Sequence, residues 1–455
     1  MELSAIIAEQ RRYFNTGATL PPAARRAALK SLETVLLRRE QEIYDALKAD
    51  LNKAPFEAYE TELGIVLSEL RFTRRRLGRW SKTRRVRTPL AHFPSVSRIR
   101  RDPYGVVLIM APWNYPLQLT LVPLISALAA GNCAVVKPSA YAPATSALLA
   151  RMLTEAFPAG HVAVVEGGRA ENTALLEQPF DKIFFTGSPS VGRTVMAAAA
   201  RNLTPVTLEL GGKSPVIVAS DADIDLAARR IAWGKFLNAG QTCVAPDHVW
   251  VRPEQRDELV NALGRYIVEF YGKKPLEGND LPRIINEKHF QRLMGLMERS
   301  GRVAQGGGFD PQSRRIEPTV LVDVTEQDPV MGEEIFGPIL PVLTYTDLDD
   351  LIRHLQTLEH PLALYLFTRS QEVERKVLGS LRFGGGCVND TVVHLATSRM
   401  PFGGVGNSGM GQCHGRWGFE SFSRPKSVLK KGRLDIPVRY PPYDNRLVSL
   451  LKKLM

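Results

Sequence analysis

Between residues 105 and 210 short apolar runs alternate with longer helix-like segments, and this alternation restricts the fold more than any other feature of the chain. Val106-Val107-Leu108-Ile109-Met110 is a strand-like run bounded by Gly105 and Pro112. A helix-like stretch over 117–130 follows, Gly131-Asn132 stops it, and 133–136 reads as a second strand. The helical pattern of 142–157 breaks at Pro158-Ala159-Gly160, and 162–165 is a third strand. A fourth, 182–185, passes through Gly187 into a helix over 191–200, and 206–210 is a fifth. Short apolar strands joined by helices predict a doubly wound parallel α/β sheet.

After Gly211 the alternation restarts. Helices are expected at 223–237, 257–270, 348–358 and 371–381, and strands at 248–251, 320–322, 340–345 and 364–367. Residues 1–80 read as helices, with Leu32, Val35, Leu36, Ile43 and Leu47 on one apolar stripe. The pattern divides the chain into a first α/β domain (1–80 and 101–210) and a second (211–425). Two segments, 81–100 and 426–455, fit neither. Gly306-Gly307-Gly308 reads as a flexible loop, because no strong strand–helix pair flanks it. A chain of 455 residues exceeds what one hydrophobic core usually serves, which also favours two domains.

The net charge of +12 comes from 59 Lys and Arg against 47 Asp and Glu, with much of the excess between Arg71 and Arg101. Such a run is first a solvated face. Its sharper reading is attraction to an anionic substrate or to a membrane surface, a peripheral contact. No nucleic-acid-binding module accompanies it, so a nucleic-acid partner is not expected. Cys133, Cys243, Cys387 and Cys413 show neither C-x-x-C nor metal-ligand spacing, which suits free thiols in a reducing compartment and predicts no metal. The start Met1-Glu2-Leu3-Ser4 has no signal-peptide pattern, and no run approaches the ~20 apolar residues a bilayer span needs. A cytoplasmic location follows as the expectation. The tail, 447–455, suits membrane contact or subunit packing equally.

Chemistry concentrates between Leu208 and Cys243. Leu208-Glu209-Leu210-Gly211-Gly212-Lys213-Ser214-Pro215 ends an apolar run on a carboxylate, and Asn238-Ala239-Gly240-Gln241-Thr242-Cys243 brings a thiol behind a glycine turn. A thiol is a strong nucleophile even when slightly ionised, and a carboxylate beside it could activate water, so the pair suggests covalent catalysis through a thioester. These two segments resemble the signatures of the aldehyde dehydrogenase superfamily. The flanks at 238–247 and Pro401-Phe402-Gly403-Gly404-Val405-Gly406-Asn407-Ser408-Gly409-Met410-Gly411 resemble its class 3 branch, the fatty, aromatic and coniferyl aldehyde dehydrogenases.

The resemblance implies a doubly wound parallel-sheet domain for NAD or NADP, a second α/β catalytic domain, and a small β oligomerisation arm made by 81–100 and 426–455 that pairs two subunits into a homodimer. It places cofactor contacts at Trp113, Lys137, Thr186, Gly187, Ser188, Gly192, Leu210, Glu334 and Phe336. Gly187 and Gly192 stand at a strand-to-helix turn, where a helix N-terminus offers free N–H groups to a pyrophosphate. Lys137 matches the lysine on the adenine ribose; Glu334 matches the glutamate on the nicotinamide ribose, with Phe336 beside it. The adjacent Glu333 leaves a one-residue ambiguity that the Glu-x-Phe spacing resolves toward Glu334. Position 140 is Ala140, where many NAD-preferring relatives carry glutamate; no carboxylate there repels a 2′-phosphate, so NADP is expected to serve as well.

For the reaction, the resemblance implies Cys243 as nucleophile, the Asn114 amide and the Cys243 backbone N–H as oxyanion donors, and Glu209 as general base for water. Medium- to long-chain aliphatic or aromatic aldehydes are the implied substrates. Alternatives are a CoA-acylating relative, which Glu209 argues against, and a non-catalytic binder keeping the fold. Cys133, Cys387 and Cys413 read as buried filler, and His394 and His414 as structural or pocket residues.

Overall fold

A computed structural model describes residues 2–435 and 440–454; residue 1, 436–439 and 455, which belong to the spans 1–80 and 426–455, lie outside it. Its first sheet has the order Gly409–Met410, Val206–Glu209, Lys182–Thr186, Val106–Met110, Cys133–Lys137, Val162–Val164. The last five strands are parallel and the first is antiparallel to its neighbour. Successive side chains of a strand face opposite ways, so each run serves two cores. Val107, Ile109, Ala134, Val136 and Phe184 pack under the helices Gln118–Ala130 and Pro143–Ala156. Val106, Leu108, Met110, Val135, Ile183 and Phe185 face the other way, against Val195 and Ala199 of helix Pro189–Ala200 and Ile7 of helix Leu3–Asn15. Helix Gln118–Ala130 is apolar all round because it is buried nearly all round.

The second sheet runs Arg302–Gln305, Thr319–Val322, Ile339–Thr344, His248–Val251, Pro215–Val218, Ala363–Phe367, Gly385–Val388, antiparallel only at its first pair. The expected strands are present with shifts of a residue or two. The sequence pattern does not show Pro215–Val218, Gly385–Val388 or the edge strand Arg302–Gln305. The first is only four residues long and begins on proline. The second is glycine-rich for a steric reason: a Cβ on Gly386 would lie 2.0 Å from the Leu364 carbonyl of the neighbouring strand.

The boundary at 425 needs correction. Gly409–Met410 pairs with Val206–Glu209, and helix Gly415–Ser421 packs on helices Gly64–Trp80 and Gln118–Ala130 of the first domain. Phe419 and Phe422 are buried in that domain's core. A two-residue strand and a seven-residue helix carry too little periodicity to betray this return. The arm is likewise displaced: Ser95–Pro103 pairs antiparallel with Arg84–Val86 and with Ser423–Lys431, so it reaches beyond 100 and resumes before 426.

Two further expectations change. Gly306-Gly307-Gly308 is not a free loop, since Gly307 N–H donates to Thr319 Oγ1 (3.0 Å) and Gly308 N–H to Glu317 Oε2 (3.0 Å). The basic run is partly neutralised: Arg71 and Arg74 converge on buried Glu33, and Arg101 meets Glu420 at 3.0 Å.

Asn132, the helix stop, fastens the returning segment to the first sheet. Its Oδ1 accepts from Gly105 N–H (3.0 Å), and its Nδ2 donates to the carbonyls of Ala127 (3.1 Å) and Phe422 (2.9 Å). Replacing it with alanine strands the Gly105 N–H and the Phe422 carbonyl, while the Ala127 carbonyl keeps two backbone N–H partners, and Asn132→Ala should lose about 2–4 kcal/mol in urea unfolding. A loss under ~1 kcal/mol would show that this junction is held elsewhere.

Candidate active site

The nucleophile sits on a tight reversal after helix Ile224–Phe236. Asn238 (φ 52°), Ala239 (φ 53°) and Gly240 (φ 72°) all take left-handed backbone. A Cβ on Gly240 would meet the Gly337 carbonyl at 2.2 Å, so only glycine fits there. The polar side chains of the turn hold it. Asn238 Nδ2 donates to the Asn114 carbonyl (2.8 Å) and the Gln241 carbonyl (3.2 Å). Gln241 Nε2 donates to the carbonyls of Asn238 (3.1 Å) and Arg283 (3.0 Å), and its Oε1 accepts from Ile285 N–H (3.0 Å).

Asn114 follows strand Val106–Met110 and is buried. Its Nδ2 donates to the Gln241 carbonyl at 2.9 Å, which uses one of two N–H groups and leaves the other beside the Cys243 turn. Next to it, the Tyr115 hydroxyl meets Thr242 Oγ1 at 2.6 Å. Loops from the two sheets are thus joined on both sides of the peptide that leads into Cys243.

Glu209 ends strand Val206–Glu209 and is 4% exposed. Neither carboxylate oxygen accepts a well-formed hydrogen bond. Burial pushes its pKa well above the carboxylate range, and the facing Cys413 thiol is the sole group opposing the rise. Cys243 is also pushed up, by burial first and then by the Glu334 and Glu209 carboxylates, while the backbone N–H groups of Cys243 and Val244 favour its thiolate. Both groups are therefore shifted toward their neutral forms. They line one cavity with Thr186, Tyr115, Trp233 and Phe402. Its wall is mostly apolar, and Cys413 and His414 are part of it. Cys413 is thus a pocket residue, not filler. His394 packs behind, against Tyr365 and Phe402, with its Nδ1 3.6 Å from Cys387 Sγ.

The remaining predicted residues gather at the carboxyl ends of the first sheet, where open α/β sheets bind ligands. Thr186, Gly187 and Ser188 form the turn into helix Pro189–Ala200, whose N-cap Ser188 side chain accepts from Val191 N–H. Leu210 packs over Gly192, where a Cβ would come within 2.7 Å of it. Thr186 Oγ1 and Glu334 Oε1 are buried without partners. Gly211 stands where any Cβ would overlap the Glu334 carboxylate, at 2.0 Å. Glu334 is pushed up to about 8 by burial and by Asp247, whereas Glu333 is half exposed beside Arg292 (3.5 Å), which settles which glutamate faces inward. Phe336 (φ 50°) sets its ring edge-on to Trp113 at 5.3 Å, and His289 packs on the same indole at 5.2 Å.

Lys137 ends strand Cys133–Lys137 at the same edge of the sheet, level with Met110. It is buried, not a surface lysine, and its Nζ donates to the carbonyls of Pro138 (2.9 Å) and Gly167 (2.6 Å). Burial lowers its pKa, with Glu171 and Glu166 opposing. Orphaned buried oxygens, glycines with no room for a side chain and the N-terminus of helix Pro189–Ala200 fit a dinucleotide carrying hydroxyls and phosphates.

Sequence reasoning missed several residues that organise the site. Lys53, Glu57 and Glu62 are charged residues in ordinary-looking stretches, and Lys213 stands in the signature segment with no role assigned. Burial reveals the first pair, since the Lys53 and Glu62 side chains are 0% exposed, and hydrogen bonding reveals the others. Lys213 donates to Asp247 and to the carbonyls of Val330 and Glu333 (both 2.9 Å), and Asp247 accepts from Ile335 N–H (2.9 Å), so the two hold the Glu334 segment.

The sequence profile of the aldehyde dehydrogenase family matches residues 1–428. The chain is 46% identical to the 4,4'-diaponeurosporen-aldehyde dehydrogenase of Staphylococcus aureus, covering 96% of each protein. It is 48% identical to aldehyde dehydrogenase family 3 member B1 of Rattus norvegicus, covering 97% of this chain and 95% of that one. A solved Mycobacterium tuberculosis aldehyde dehydrogenase complexed with NAD+ superposes with a TM-score of 0.85 at 30% identity, over 94% of this chain and 90% of that one. Fold, motif order and whole-chain likeness agree: the chain belongs to the aldehyde dehydrogenase family, as an NAD(P)-dependent oxidoreductase that converts aldehydes to carboxylic acids.

Proposed function

We propose that this enzyme oxidises medium- to long-chain aliphatic or aromatic aldehydes through a covalent thiohemiacetal and thioester on Cys243. One observation carries the reading: Cys243 and Glu209 line the same largely apolar cavity, and neither carboxylate oxygen is engaged. An aldehyde with an apolar body gains from burial there, at about 25 cal/mol per Å² of apolar surface. The likeness to a diaponeurosporen-aldehyde dehydrogenase supports an apolar substrate.

Cys243 attacks as a thiolate, forming the C–S bond. The carbonyl oxygen, now anionic, meets the second Asn114 N–H and the Cys243 backbone N–H, and losing one such donor typically costs about 10²–10³ in rate. Glu334 and the Thr186–Gly192 turn would hold NAD or NADP, which when bound would supply the acceptor for the hydride that leaves the carbon. Glu209, once ionised, takes a proton from the water that attacks the thioester; the acid departs and the thiol is restored.

Both cofactors are proposed to serve. Ala140 is exposed and brings no carboxylate to the loop after Lys137. A homodimer is proposed through the arm, whose strand Ser423–Lys431 leaves most of its side chains and one backbone edge uncovered. Helix Val448–Leu454, with Lys452 and Lys453 in its last turn, and the basic arm support peripheral contact with an anionic membrane surface. No helix among the described residues is long and apolar enough to cross a membrane. The four free thiols support a cytoplasmic location.

Three outcomes are expected. Cys243→Ala abolishes dehydrogenase activity, and Glu209→Gln releases one equivalent of NAD(P)H per site before turnover stalls; stopped-flow absorbance shows whether steady hydrolysis instead continues, which would remove Glu209 from this role. In the cofactor-free enzyme, alkylation of Cys243 by iodoacetamide should rise about tenfold per pH unit and keep rising beyond pH 9, because a raised thiol pKa keeps the thiolate scarce at neutrality. A plateau below pH 9, followed by mass spectrometry, would contradict the raised pKa. Steady-state kinetics should find NADP active alongside NAD; inertness at millimolar NADP would show that Ala140 does not relax the choice.

A further inference from the structure

We infer that the buried ion pair Lys53–Glu62 positions the oxyanion-donating loop, residues 114–118, so that both act on the reaction through Asn114; this rests on the role given to Asn114 above. Lys53 lies between helices Glu40–Leu51 and Pro55–Ala58, and Glu62 in the π-helical turn Tyr59–Leu63. Their side chains are 0% exposed, with Lys53 Nζ 2.7 Å from Glu62 Oε1. A second Lys53 N–H reaches the Asn114 carbonyl at 3.2 Å, and the ammonium stands 4.1 Å from the Tyr115 ring centre. Glu62 Oε2 accepts from the N–H groups of Leu117 (2.8 Å) and Gln118 (3.2 Å), at the start of helix Gln118–Ala130. The cation therefore holds one end of the loop and the anion holds the other.

The surroundings make this a device for geometry and not for stability. A buried ion pair is a poor stabiliser, because desolvation of both charges consumes most of the Coulombic gain, and apolar residues of similar size often serve as well. What an apolar pair could not do is bond the Asn114 carbonyl and the Leu117 and Gln118 amides. The same segment also reaches the nucleophile's turn, since Glu57 Oε1 accepts from Asn238 N–H at 2.8 Å. The π turn permits this division: Glu60 and Thr61 face the cavity while Glu62 points inward. Lys53 and Glu62 touch neither substrate space nor Cys243, and are positioning residues.

The test uses the full-length enzyme with NAD and excess enzyme over aldehyde, reading the single-turnover rate of NADH formation, the KM for NAD and the thermal midpoint. Lys53→Met/Glu62→Gln removes both charges while keeping an acceptor for Leu117 and Gln118. It should form NADH about 10- to 100-fold more slowly, as a small displacement of an oriented group costs, with the KM for NAD and the midpoint near wild type. Lys53→Arg keeps the charge but moves the donor off the Asn114 carbonyl, and should also slow the turnover if the double variant fails to fold. In an Asn114→Ala background these changes should cause no further slowing. A folded variant of either kind that turns over at the wild-type rate, or an equal further loss in the Asn114→Ala background, would overturn the proposal. Asn114→Ala turning over at the wild-type rate would instead overturn the oxyanion assignment on which it rests, and the proposal with it.

Discussion

The hydrogen bond from the Asn114 amide to the Gln241 carbonyl, at 2.9 Å, is the constraint on which the site depends. Asn114 belongs to the loop after the central strand of one sheet, and Gln241 to the turn before the nucleophile on the other domain. The second domain supplies the backbone N–H groups of Cys243 and Val244, and this junction adds a side-chain donor from the first. The bond is flanked by Tyr115–Thr242 at 2.6 Å and by Asn238 on the Asn114 carbonyl at 2.8 Å, so the two loops are tied at three points. An oriented donor loses most of its value when misplaced by an ångström, which makes this junction a catalytic requirement as well as a structural one.

The electrostatics follow from how much is buried around it. Cys243, Glu209 and Glu334 are all pushed toward their neutral forms, each by burial first. Three negative charges so close would repel one another and lack water to screen them. The shift toward the neutral forms lessens that conflict. The carboxylate and the thiolate are each needed at a different stage, and a base whose proton affinity is raised is a stronger acceptor once it is ionised. Lys213 and Asp247 work differently: the lysine holds the aspartate well below the usual carboxylate range despite burial, and the two serve as a fixed anchor for the Glu334 segment.

The sequence was legible where local pattern and tertiary role coincide. Val106–Met110 and Cys133–Lys137 are apolar on both faces because both faces are buried, so composition alone marks them as interior strands. Cys243 and Glu209 were legible because the residues beside them are constrained: Gly240 by the Gly337 carbonyl, Gly211 by the Glu334 carboxylate. Gly409–Met410 was not legible, since a two-residue strand has no period and its place is set by the partner strand. Lys53 and Glu62 were not legible for another reason. In sequence a buried charge looks like an exposed one, and only the partner, nine positions away in the chain but 2.7 Å away in space, distinguishes it. Cys413 was taken for filler because a thiol has no local signature for the carboxylate it faces.

The turn before Cys243 shows how strain is held in place. Asn238 and Ala239 both occupy left-handed backbone, which costs on the order of 1–2 kcal/mol for a residue with a Cβ. Asparagine tolerates that region, and here its amide also bonds two carbonyls while its own N–H meets Glu57. Ala239 has no polar compensation; its methyl is buried among Leu281, Ile284 and Phe290 instead. Polar bonds from one side and packing from the other therefore fix a conformation that the local sequence would not choose. The consequence is directional. A relaxed turn would carry the Gln241 carbonyl away from Asn114, so strain at 238–240 and alignment of the oxyanion donor are two aspects of one structure.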